Sequence, residues 1–187
     1  MEATGSIHRR LPQVFLLPFC LALVIVNIAL QRQNSKLAAS LEDVRYARGP
    51  QQGGTLQQLS GLDALGRPVT FNLAMQKNRT LLLVLSARCG ACTENWPKWR
   101  DVVRHITPAV PVVYADVADS VSAAYLRRFD VPQSRFLTKI DLQTRWIHDL
   151  RETPQTIVLG PSGRIEKVWL GVLARRDVDA IVALLRN

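Results

Sequence analysis

The residues best suited to chemistry in this 187-residue chain are two thiols three positions apart, in Cys89-Gly90-Ala91-Cys92. At that spacing two cysteines can close a disulfide in a small ring. They sit where an apolar run, Thr80-Leu81-Leu82-Leu83-Val84-Leu85-Ser86, gives way to a helical pattern. A helix start offers free backbone N–H groups and a partial positive charge, both of which stabilise a thiolate at the first cysteine. Arg88 adds a formal positive charge beside it and is a candidate modulator of that thiolate. A redox dithiol, half of a zinc site and an accidental pair are the three readings of the motif. No second CxxC is present, and His105 and His148 lack the spacing of paired metal ligands, so the redox dithiol is the reading adopted and no metal is expected.

The surrounding pattern alternates strand and helix signals. The run through Leu81–Leu85 lacks polar alternation, as expected of a strand buried on both faces. After Cys89, Trp96, Trp99, Val103 and Ile106 recur at helical spacing. Upstream, a Gly66-Arg67-Pro68 turn leads into a strand at Val69–Phe71. Downstream, residues 111–116 predict a second buried strand, Ser120 to Phe129 a helix, and residues 140–150 a further short helix. Thr156–Leu159 and Ile165–Leu170 flank the turn Gly160-Pro161-Ser162-Gly163 and predict a hairpin. A helix from Arg175 to Leu185, with Val178, Ile181, Val182 and Leu185 on one face, closes the chain. These elements predict an α/β sandwich around a mixed sheet.

The N-terminal part is of another kind. Residues 11–30 are uncharged and sixteen of the twenty are apolar, the exceptions being Pro12, Gln13, Pro18 and Asn27. A helix of that length spans about 30 Å, the thickness of a bilayer's hydrocarbon core. Arg9 and Arg10 precede it and serve equally well for an uncleaved anchor or a cleaved signal peptide. Ala38, Ala39 and Ser40 lie far beyond the apolar run for a cleavage site, which favours the anchor. Cys20, within the run, follows the bulky Phe19 and reads as a small buried hydrophobe rather than a lipidation site. The expected organisation is a cytoplasmic n-region over 1–10, a transmembrane anchor over 11–30, a stem and linker over 31–54, and a soluble domain over 55–187. Arg32 and Lys36 nearly balance Arg9 and Arg10, so the inside orientation of the tail rests on its shortness.

Composition sets the outer bounds. An apolar fraction of 48% and a charged fraction of 21% exclude wholesale disorder. Lys and Arg total 24 against 15 Asp and Glu, a net charge of +9, but the excess is scattered and forms no basic arm. Nucleic-acid binding is therefore not expected. Three cysteines are too few for a disulfide framework.

The segment from Leu81 to Cys92, with Pro97 five residues after the second cysteine, resembles the active-site strand and helix of thioredoxin-like proteins. Arg151-Glu152-Thr153-Pro154-Gln155-Thr156-Ile157-Val158 resembles that superfamily's cis-proline loop and the strand after it. The additional elements before that loop, with the N-terminal anchor, resemble the membrane-anchored TlpA/ResA-like branch. The resemblance covers residues 55–187. It implies a thioredoxin-like fold, with a central mixed sheet flanked by helices, behind an N-terminal transmembrane helix. It further implies that Cys89 is the attacking thiolate, Cys92 the resolving thiol, and Pro154 a cis-proline facing them, with the Thr153 backbone offered to an extended substrate segment. Pro97 would kink the helix.

Departures from the pattern are as informative. Thioredoxins carry a buried Asp six positions before the first cysteine, and this branch a polar residue; here Leu83 stands there. Arg88 replaces the usual Trp before the motif. The branch's active-site Glu falls on Asn95, and the neighbouring Glu94 is rotated by about 200° along a helix, away from Cys92. The proton acceptor for Cys92 is thus not identified. Trp96 and Trp99 are candidates for the rim of the site, with Trp99 the more suited to the core.

Three functions fit. The first is an extracytoplasmic thiol–disulfide oxidoreductase on the bacterial inner membrane, single-pass, its domain facing the periplasm or cell exterior. It would reduce disulfides of protein substrates without a cofactor and depend on a membrane redox partner for re-reduction. Resemblance to the branch extends this to cytochrome c maturation. The second is a peroxiredoxin-like thiol peroxidase, suggested by Ser86-Ala87-Arg88-Cys89, although Leu82 stands where that motif has a proline. The third is a copper-binding chaperone on the same fold, whose CxxxC is one residue longer. Gly90-Ala91 lacks the His that strong oxidants of this fold place beside the second cysteine, so a reductant is expected.

Overall fold

The computed structural model describes residues 11–46 and 50–186, with side chains given for 18–37 and 50–186. The chain divides into two compact units, one through Val44 and one from Arg45.

The described part of the first unit is the helix α1, Leu11–Tyr46, as far as Val44; the helix contains Pro18. Within the stem and linker expected over residues 31–54, this helix continues as far as Tyr46. From Phe19 to Leu30 its large apolar side chains are exposed in all directions around the axis. The expected n-region, residues 1–10, lies outside the described residues, as do the side chains of 11–17. Among the described residues no helix is long and apolar enough to cross a membrane.

The second unit is built on a five-stranded sheet of order β5-β4-β3-β6-β7. Its strands are β3 (Thr80–Leu85), β4 (Val112–Asp116), β5 (Phe136–Leu137), β6 (Gln155–Leu159) and β7 (Ile165–Leu170). The pairs β3–β4 and β4–β5 are parallel, while β3–β6 and β6–β7 are antiparallel, which makes the sheet mixed. β3 lies at the centre with every residue buried, and this explains its unbroken apolar run. Because successive strand residues point to opposite faces, β3 feeds two cores. Leu81, Leu83 and Leu85 pack with Trp96, Trp99 and Val102 of α2 (Gly90–His105), Leu126 and Phe129 of α3 (Ala123–Phe129), and Val178, Ile181 and Leu185 of α5 (Arg175–Arg186). Leu82 and Val84 pack on the other face with Leu56, Leu59, Leu73, Ile140 and Leu150.

That second face is covered by an antiparallel hairpin, β1 (Gln58–Leu62) with β2 (Pro68–Asn72). β2 was legible in sequence and β1 was not, because Ser60 and Gly61 are poor strand formers taken alone. Gly61 is there for proximity: a Cβ on it would stand 2.3 Å from the Thr138 carbonyl oxygen. The glycine-rich stretch expected as a linker is partly tied down, since Gly53 N–H donates to Ile165 O and Ile165 N–H to Gly54 O.

Two helices are shorter than their sequence patterns. α3 begins at Ala123, capped by the Ser122 hydroxyl, because residues 117–121 wrap around Asp116 instead. The helix expected over 140–150 is α4, Leu142–Ile147, capped by Asp141. Pro97 lies in the interior of α2, not in its first turn.

Candidate active site

The strands β3 and β4 end, and the antiparallel β6 begins, at the same end of the sheet, and the two cysteines follow β3 there. Cys89 is the N-cap residue of α2, with extended backbone (φ −94°, ψ 110°). Its sulfur accepts the Cys92 N–H at 3.3 Å, the bond that an N-cap oxygen makes in other helices. Cys89 is half-buried and Cys92 is fully buried beneath it; both are free thiols.

The Thr153–Pro154 peptide bond is cis. The Thr153 carbonyl oxygen lies 3.4 Å from the Cys89 sulfur and accepts its S–H. Pro154 is buried, and its carbonyl accepts the Gly171 N–H at 2.8 Å, which ties the loop to the end of β7. Residues 64 positions apart in the chain thus form one site.

The two thiols differ in acidity. Burial is the largest influence on Cys89 and raises its pKa, but hydrogen bonds outweigh it: from the Thr153 side chain, the Cys92 thiol, and the Cys92 and Ala91 amides. The net direction is downward. Thr153 therefore acts twice, its carbonyl favouring the thiol and its side chain the thiolate. Burial pushes the Cys92 thiol up to about 12, helped by the S–H it donates to Cys89. One accessible sulfur is prepared to be a thiolate and the other is held protonated, the asymmetry a nucleophile and a resolving thiol require.

Arg88 is exposed, and it is not among the groups that act most strongly on the Cys89 sulfur. Glu94 is exposed, as its rotation along α2 predicts, whereas Asn95 is fully buried. The Asn95 Oδ1 accepts the Leu173 N–H at 3.0 Å, and its Nδ2 is buried without an acceptor. Trp96 is not a rim residue. It is 1% exposed, stacks on Phe129 at 4.7 Å and donates from Nε1 to the Tyr125 hydroxyl at 2.7 Å. Trp99 is in the core and donates to the Thr156 hydroxyl at 2.8 Å. Leu83 is fully buried on β3, opposite Thr156, and offers no proton acceptor.

Sequence reasoning missed Asp116 and Ser120. The Ser120 hydroxyl accepts the Ala87 N–H at 2.9 Å, immediately before the motif, and the Asp116 carboxylate takes the Ser120 N–H at 2.7 Å. The one local signal was an acidic residue ending the apolar run of β4. Among the described residues no cluster of three or more His, Cys, Asp or Glu is placed to hold a metal ion.

This arrangement of sheet, N-capping cysteine and cis-proline defines a thioredoxin-like fold, and solved structures bear the same architecture. No protein-family profile matches the chain, and no curated protein matches it. A DsbF homologue from Corynebacterium diphtheriae superposes with a TM-score of 0.58 at 16% identity, covering 71% of this chain and 87% of its own. A thiol-disulfide isomerase from Corynebacterium glutamicum gives 0.55 at 14% identity, covering 72% and 97%. A thiol:disulfide interchange protein of the thioredoxin family from Chlorobium tepidum gives 0.54 at 15% identity, covering 73% and 99%.

Proposed function

We propose that this protein is a thiol–disulfide oxidoreductase that reduces disulfides of protein substrates through Cys89 and Cys92. The observation that carries the reading is the Cys89 sulfur, capped by the Cys92 amide and 3.4 Å from the Thr153 carbonyl beside a cis-proline. The Cys89 thiolate attacks one sulfur of the substrate disulfide, and the other sulfur leaves as a thiolate that takes up a proton. Cys92 then loses its proton and attacks Cys89, which releases the second substrate thiol and leaves a Cys89–Cys92 disulfide. Two electrons pass to the substrate, and no cofactor beyond the dithiol takes part. Named neighbours of the same fold, interchange proteins and isomerases among them, support this class of reaction.

The protein acts as a reductant tethered to the bacterial inner membrane by residues 11–30, with its domain on the periplasmic or outer side. The twenty uncharged residues there support the anchor, as do the uncovered apolar side chains from Phe19 to Leu30. A membrane redox partner re-reduces the disulfide, and a role in cytochrome c maturation follows from likeness to the TlpA/ResA-like branch. The neutral Gly90-Ala91 pair supports a potential nearer the roughly −270 mV of thioredoxin than the roughly −120 mV of the strongest oxidants.

Substrate trapping tests the chemistry. In Cys92→Ser the mixed disulfide at Cys89 cannot resolve, so the substrate should remain bound and be released by reductant. If this variant traps nothing while Cys89→Ser retains reductase activity, the assigned roles are wrong. Equilibration against glutathione tests the direction, and a potential above about −180 mV would recast the protein as an oxidant or isomerase. A reporter fused after Asn187 tests topology, and activity confined to the cytoplasm would overturn it.

A further inference from the structure

We propose that Ser120, held by the buried carboxylate of Asp116, is a positioning residue for the redox motif. It fixes the path of residues 86–88 so that backbone amides meet the two sulfurs. The inference rests on the reading of Cys89 and Cys92 as a redox dithiol.

Asp116 ends β4, opposite Leu85 of β3, and is 0% exposed. A buried carboxylate must be compensated by donors. The backbone supplies three, Ala118 N–H at 3.1 Å, Ser120 N–H at 2.7 Å and Val121 N–H at 2.8 Å. The Ser120 hydroxyl donates at 3.3 Å, and the Thr138 hydroxyl, 3.5 Å from Asp116 and 3.3 Å from the Asp119 carboxylate, divides a single proton between the two.

Proton counting then orients the rest. A serine hydroxyl has one proton to donate, and Ser120 spends its own on Asp116. Its oxygen therefore accepts in its two remaining contacts, from the Ala87 N–H at 2.9 Å and from the Ser86 hydroxyl at 3.1 Å. Ser86 has now spent its proton, so its oxygen accepts the Arg88 N–H at 3.2 Å. The Ser86 carbonyl in turn accepts the Cys89 N–H at 3.2 Å. Each residue from 86 to 89 is thereby pinned, and the side-chain bonds run in one direction to a single carboxylate.

The consequence reaches both sulfurs. The path of 86–88 sets the extended backbone at Cys89 that makes it an N-cap. The backbone of Ser86 also hydrogen-bonds the Cys92 sulfur and opposes the rise of its pKa. Without Ser120, Ala87 N–H and Ser86 Oγ lose their partner, and the loop can turn its amides away from the thiols.

The test is the pH profile of Cys89 alkylation by iodoacetamide in the full-length protein carrying Cys20→Ser, which removes a second exposed thiol, with thermal unfolding of each variant measured alongside. Ser120→Ala should raise the alkylation midpoint and slow the reaction at neutral pH by several-fold, and Ser120→Thr, which keeps the hydroxyl, should restore both. Ser86→Ala, which leaves the Asp116 turn intact, should move the midpoint in the same direction by less. It also serves should Ser120→Ala not fold. Thr138→Val removes a hydroxyl shared by Asp116 and Asp119, away from the motif, and should lower the melting temperature without moving the midpoint. A wild-type profile in folded Ser120→Ala, or an equal shift in Thr138→Val, would overturn the proposal. Failure of the redox reading is distinguishable, since Cys89 in the wild-type protein would then show no enhanced reactivity to compare.

Discussion

The sulfur of Cys89 and the carbonyl oxygen of Thr153 stand 3.4 Å apart, joining the start of α2 to the start of β6. Neither segment forms a site alone. Hydrogen bonds from the Thr153 side chain and from the helix start lower the pKa of the first thiol, and on the proposed function the loop before β6 would present its backbone to an extended substrate segment. Substrate sulfur and substrate backbone would thus be met at once. On the proposed function, such two-point binding would orient a disulfide for in-line attack.

Alkylation of the reduced protein should follow a single wave with pH. Cys89 lies below the ordinary thiol range, and Cys92 stays protonated until about 12. With Cys20, an exposed free thiol, replaced by serine, one equivalent of iodoacetamide should therefore react, with a midpoint below that of a free thiol, and Cys89→Ser should abolish the wave. Arg88→Ala should shift the midpoint only slightly, because that side chain is exposed and screened by solvent. A second wave of similar amplitude below pH 10 would contradict the asymmetry.

Cys92 also predicts alkaline sensitivity. Its folded pKa, about 12, is above that of an unfolded thiol, so the unfolded chain loses this proton first. The stabilisation it gives is present below the unfolded value and is lost as pH rises towards 12. Cys89 has the opposite sign and favours the folded state once deprotonated, but its shift is the smaller. Urea midpoints of the reduced protein should fall between pH 9 and 11, and less steeply in Cys92→Ala. Parallel slopes would refute the linkage.

What could be read in advance was what depends on local chemistry. Cys89, Cys92 and the Thr153-Pro154 loop stand in recognisable order, and the apolar run of β3 announces its burial on both faces. Long-range partnership left no such trace. Asp116 and Ser120 are only four residues apart, but nothing near them says that the Ser120 hydroxyl will take the Ala87 amide 33 residues away. Trp96 and Trp99 share one helical stripe, so periodicity could not tell that both are core. β1 escaped notice because Gly61 answers to the Thr138 carbonyl, a contact made across the fold.

The Trp99–Thr156 hydrogen bond should be measurable as a coupling. Both groups are buried, with Nε1 and Oγ1 2.8 Å apart. Trp99→Phe leaves the Thr156 hydroxyl without its donor and opens space beside Leu83, so unfolding free energy should fall by about 2–4 kcal/mol. Adding Thr156→Val removes the orphaned hydroxyl and should cost less than the sum of the single changes, by about 1 kcal/mol. Strict additivity in the double-mutant cycle would mean that the bond contributes nothing.

Gly61 offers a test of how the hairpin is seated. Leu62 and Thr138 exchange backbone hydrogen bonds at 2.7 and 2.8 Å, which draws β1 against the segment after β5. A Cβ at Gly61 would meet Thr138 O at 2.3 Å and the Leu137 side chain at 3.1 Å. The first obstacle is backbone, so it cannot rotate away, and the hairpin must lift. Leu59 would lift with it, and Leu59 is packed in the core that Leu82 and Val84 share. Gly61→Ala should therefore destabilise the domain by about 1–3 kcal/mol, the range for forcing atoms into a filled space. Because the hairpin covers the face of β3 opposite α2, the pH profile of Cys89 should stay where it is. A variant as stable as wild type in urea would show that β1 has slack at this point, and a shifted Cys89 midpoint would show that the two faces of β3 are coupled.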